Sequence, residues 1–155
     1  MKKSWLKNTA LATVLATTLT ACGGGGGGPA GPINDFVNND LTNLNGSQTL
    51  ITQYSDLLTS FQSVVSNGNY SNLSSLIDGP NNDDISKAGL LLEMLTTAEA
   101  LWSDTEQLIN NQSDNNKFTI YNSDSFKNAY ASILYLKNYV KPIVQKVANG
   151  EKISL

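Results

Sequence analysis

The chain has 155 residues with 10 lysines, 13 acidic residues, no histidine, no arginine and one cysteine, for a formal net charge of −3. The lack of histidine and of any second thiol excludes Ser-His-Asp and Cys-His catalysis and leaves zinc without imidazole ligands. An acidic chain without arginine also lacks the electrostatic footprint of nucleic-acid binding.

The first 21 residues read as a leader. Lys2, Lys3 and Lys7 form a basic start, and Ala10, Leu11, Ala12, Val14, Leu15, Ala16 and Leu19 form a short apolar run diluted by threonines. That run is shorter than the roughly 20 apolar residues a spanning helix needs. It ends in Leu19, Thr20, Ala21 and Cys22, and six glycines follow the cysteine. These residues resemble the type II signal peptide of bacterial lipoproteins, whose lipobox has the form Leu-small-small-Cys.

The resemblance implies cleavage between Ala21 and Cys22, diacylglycerol on the Cys22 thiol and an acyl chain on its new amine. It also implies an address in the bacterial envelope, with Gly23 in place of an inner-membrane retention aspartate favouring the outer membrane. Beyond about residue 22 the resemblance stops, and no family is recognised in the rest of the chain.

Residues 22–32, rich in glycine and proline, have little to bury and read as a tether. A glycine-rich coil of about 10 residues averages on the order of 18 Å end to end. Behind it, residues 33–155 suffice for one modest core, held without disulfides.

The hydrophobic period in that domain is helical. Ile33, Phe36, Val37, Leu41 and Leu44 mark a first short piece. A long helix carries Leu50, Tyr54, Leu57, Leu58, Phe61, Val64 and Val65, with Ser47 or Thr49 as cap and Gly68 as stop. Tyr70, Leu73, Leu76 and Ile77 suggest another short helix before the turn at Asp78, Gly79 and Pro80.

A second long helix is expected from Asp83 or Asp84 to Asn110 or Asn111, with Ala88, Leu91, Leu92, Leu95, Ala98, Leu101, Trp102, Leu108 and Ile109 inward. Leu90 and Met94 widen its apolar arc, which suits contact with more than one neighbour. Lys117, Phe118, Thr119, Ile120 and Tyr121 alternate like a strand without a partner strand and read as an extended connector. The last helix runs from a cap at Ser123 or Asp124 to Gly150, with Pro142 kinking or breaking it near Tyr139 and Lys141. The expected fold is all-α: a small antiparallel bundle of three long helices and one or two short ones. A looser helical array is the alternative, given the many asparagines and serines.

Charge is segregated. From Cys22 to Asp114 eleven acids face Lys87 alone, whereas from Asn115 onward six lysines face only Asp124 and Glu151. The plain reading pairs the basic last helix with the acidic middle helix. A second reading takes Lys127, Tyr130, Leu134, Lys137 and Lys141 as one amphipathic patch that meets anionic headgroups or a protein partner.

Glu93, Glu99 and Glu106 read as solvated helix surface rather than as glycosidase acids. The acid-rich turn at Asp78, Asn81, Asn82, Asp83 and Asp84 lacks the glycine and glutamate of a calcium loop and suits helix capping instead. The sequence therefore calls for no catalytic residue, no metal and no cofactor. It suggests a lipid-anchored interaction module, with a carrier of an apolar molecule around Met94, Leu101 and Trp102 as the competing reading.

Overall fold

Capping and periodicity together select the helices. In the computed structural model, which describes residues 30–67 and 79–152, all regular structure among those residues is helical. The helices are α1 (Ala30–Asn39), α2 (Gln48–Asn67), α3 (Asn82–Asn110), α4 (Asp114–Tyr121), α5 (Asp124–Tyr135) and α6 (Lys141–Ala148). A 3₁₀ turn (Leu41–Asn43) follows α1, and a π-helical segment (Leu136–Val140) joins α5 to α6. No helix among the described residues is long and apolar enough to cross a membrane. The segment carrying Tyr70, Leu73, Leu76 and Ile77 lies outside the described residues, as does everything before Ala30.

Three local expectations are corrected. Helix α1 begins at Ala30, so the last three residues of the segment read as tether form its first turn. Pro32 is tolerated there because the first N–H groups of a helix have no intrahelical acceptor. Asn81, rather than Asp83 or Asp84, caps α3: its side chain accepts from the Asp84 N–H at 2.8 Å, and the Asp84 carboxylate accepts from the Asn81 N–H at 3.1 Å. This reciprocal box satisfies two donors with one pair of side chains. Asp83 instead pairs with Lys87 one turn on.

The third correction is residues 117–121, which are helical and not extended. The Ser113 hydroxyl accepts from the Asn116 N–H, and Asp114 adds negative charge to the first turn, so a helix starts upstream of the alternating run. Within α4, Ile120 is buried and Phe118 is 71% exposed.

The apolar stripes converge on one core. Ile33, Phe36, Val37, Leu41 and Leu44 are all buried, as are Leu50, Tyr54 and Phe61 of α2. Helix α3 is central: it packs along α2 on one side and α6 on the other, and it buries Leu91, Leu95, Leu101, Trp102 and Ile109. Helix α1 packs mainly on α5. Five rings interlock between α1, α3, α4 and α5. Phe36 meets Trp102 edge-on at 5.5 Å, Trp102 stacks on Phe126 at 5.4 Å, and Tyr121 meets Phe126 edge-on at 5.0 Å. Tyr130 completes the set, stacked on Phe126 at 6.2 Å.

The effect of Pro142 differs in kind from a simple break. The Lys141 N–H reaches back five residues to the Leu136 carbonyl, so the backbone inserts a π turn ahead of the proline and the helix continues into α6. Helix α6 ends at Ala148, and after the cap at Asn149 comes Gly150, whose φ of 74° is open to glycine at little cost, close to the stop the sequence suggested.

A buried polar contact fastens α2 to α3. The Thr105 hydroxyl donates to the Leu101 carbonyl at 2.7 Å, which leaves its oxygen to accept from the Tyr54 hydroxyl at 2.8 Å. Tyr54 is thus a neutral donor, and burial pushes its pKa well above the ordinary 10.0 despite the opposing hydrogen bond, with Asp104 and Glu106 adding to the rise. A raised phenol pKa stabilises the fold fully below the unfolded value and loses that stability as pH climbs toward the folded one. Urea midpoints should therefore fall as pH rises above about 10, and Tyr54→Phe should remove part of that fall while costing about 1 kcal/mol at neutral pH. Equal alkaline slopes in both proteins would overturn the assignment.

Candidate interaction surfaces

The patch read from the sequence is partly assembled. Lys127, Tyr130 and Leu134 lie on α5, and Lys137 lies in the π segment. All four are exposed, Tyr130 at 42% and Leu134 at 37%. Tyr130 has a firm base, because its ring rests on Phe126 and lies 6.2 Å from Trp102. Neither Lys127 nor Lys137 forms an ion pair among the described residues. Both cations therefore remain available to an outside partner.

Lys141 does not join them. Its Nζ donates to Glu99 Oε2 at 2.8 Å, tying α6 to α3. The π turn supplies the reason: one extra residue per turn rotates everything after Val140 relative to α5, so regular helical spacing misplaces Lys141. This pair is the expected contact between the basic last helix and the acidic middle one, and among the described residues it is the one such pair formed. Glu106 has another task, accepting from the Trp102 indole N–H at 2.7 Å.

A second surface was not singled out from the sequence. Between α2 and α3 an open groove of about 400 Å³ has Leu57, Leu90 and Met94 along its apolar part and Asp56 and Glu93 beside them. Leu90 is 47% exposed, large for a leucine in the middle of a long helix. Among the described residues the two carboxylates form no ion pair and no lysine lines the groove. The sequence did carry a trace of it, since Leu90 and Met94 widen the apolar arc of α3 beyond what one neighbour covers.

A small, partly open cavity of about 40 Å³ lies among α1, α2, α3, α5 and the π segment, walled by Ile33, Tyr54, Phe61, Met94, Ile133 and Leu136. That is space for a few water-sized bodies, at about 10–15 Å³ each. The turn residues Asn81 and Asp84 are engaged with each other in the capping box, while Asp78 lies outside the described residues. Cys22 and Ala21 also lie outside them. No protein-family model, no curated protein and no solved structure matches the chain.

Proposed function

We propose that the chain is a bacterial envelope lipoprotein, anchored through Cys22, whose antiparallel helical bundle stands on a glycine-rich tether and acts without catalysis by binding a protein partner. The observation that carries the binding role is the groove between α2 and α3, in which Leu57, Leu90 and Met94 lie beside Asp56 and Glu93, with Gln53, Ser60 and Thr97 completing the lining and no cation along it among the described residues. Its complement is an apolar segment flanked by lysine or arginine, laid in as an added helix or extended strand. The carrier reading has less support: the cavity of about 40 Å³ beside Met94 is small for an acyl chain or ring, and the groove that Met94 and Leu101 line is open and carries two acids.

A photo-crosslinking residue placed at Leu90 in the full chain tests the role in cells. The expected result is one discrete adduct that disappears when Asp56 and Glu93 are both changed to lysine, with no such adduct from the same crosslinker at exposed Phe118. Identical adducts at the two positions, or adducts indifferent to the charge reversal, would sink the groove as a binding site.

A further inference from the structure

We infer that the stripe Lys127, Tyr130, Leu134 and Lys137 is a membrane-docking face that lies against an anionic phospholipid surface and sets the orientation of the anchored domain. The inference rests on anchoring through Cys22.

Three observations place a bilayer here. The first is charge: from Ser125 to Ala148 the chain carries four lysines and no acid, and Lys127 and Lys137 flank the stripe without an ion pair among the described residues. Lysines near an anionic bilayer are each attracted appreciably to its surface potential. The second is the apolar part between them. Tyr130 offers an amphipathic ring of the kind enriched at headgroup depth, and Leu134 stands beside it one turn along. Stacking on Phe126 holds that ring in place.

The third is where the chain enters the fold. Ala30, the first residue of α1, lines the same cavity as Ile133 and Leu136, so α1 begins beside the end of α5 that carries Leu134 and leads to Lys137. Cys22 is eight residues earlier, which limits the separation to about 28 Å of fully extended chain. An anchor at Cys22 thus holds this edge of the domain near the headgroups. Small-area contact then suffices, because the lipid supplies the high local concentration.

The groove and the stripe would then divide the work, one facing the partner and the other the lipid. Lys141 is outside this face, being held by Glu99. Removal of both stripe lysines should shift the docked-to-undocked ratio by about thirty-fold.

The test uses the mature protein reconstituted in phosphatidylglycerol–phosphatidylcholine vesicles containing a nitroxide-labelled lipid. With Cys22 acylated, Leu134→Cys provides the one free thiol for a fluorescent label, and Asp56→Cys provides a comparison site on α2. The expected result is several-fold stronger quenching at 134 than at 56. Lys127→Glu with Lys137→Glu should abolish the difference, as should vesicles of phosphatidylcholine alone, with Trp102 emission unchanged as evidence of an intact fold. Equal quenching at the two sites in acylated protein would overturn the docking face and leave anchoring standing. If the label instead reacts at Cys22 in the unsubstituted protein, anchoring fails and the docking face with it.

Discussion

Trp102→Ala should destabilise the domain by about 3–5 kcal/mol, the range for truncating a buried aromatic residue. Trp102 is 5% exposed at the meeting point of Phe36, Phe126 and Tyr130, and its indole N–H holds Glu106. Its removal opens a cavity that α1, α3 and α5 cannot all move to fill, and it leaves Glu106 without that donor. A domain of this size has about 5–15 kcal/mol in all, so the variant should lose a large fraction of its cooperative urea transition, followed by far-ultraviolet circular dichroism. Phe118→Ala is the comparison. That ring is 71% exposed, and its loss should stay within about 0.5 kcal/mol. Equal midpoint shifts for the two variants would mean that the aromatic cluster is not the centre of the fold.

Cys22→Ser should move the protein from the membrane fraction to the soluble one and abolish fatty-acid labelling. The proposed anchor places several acyl chains in the bilayer at roughly 0.8 kcal/mol per buried methylene, far above what one weak surface contact supplies. The stripe on α5 would then give residual, salt-sensitive adsorption to anionic membranes, since surface attraction fades within a Debye length. A variant that stayed in the membrane fraction at high salt with its labelling intact would refute anchoring through this residue.

The helical core was legible because its cause is local. Ile33, Phe36, Val37, Leu41 and Leu44 repeat at helical steps and are all buried, and the inward positions of α3 follow from the same spacing. The misreadings come where a distant or longer-range cause decides. The five residues from Lys117 to Tyr121 fit alternation, but the Ser113 cap upstream determines their state. Asp83 and Asp84 were plausible caps, and Asn81 prevails because its partner three residues on completes the box.

Of the surface, Tyr130 and Leu134 were legible as apolar residues off the buried face of their helix. The loss of Lys141 from the patch was not, because proline spacing announces a disturbance without saying how the backbone absorbs it. The groove was hidden for another reason. Leu57 and Leu90 are far apart in sequence, and only the pairing of α2 with α3 brings them to one trough.

The π turn at Leu136–Val140 also decides how the fold is tied together. Before it the last helix packs on α1, and after it on α3. A straight helix presents one buried stripe and would serve one of these neighbours well and the other poorly. The π turn works as a change of phase, letting a single rod clasp α1 at one end and the central helix at the other. A regular helix through Leu136–Val140 would instead aim α6 away from the side it now buries.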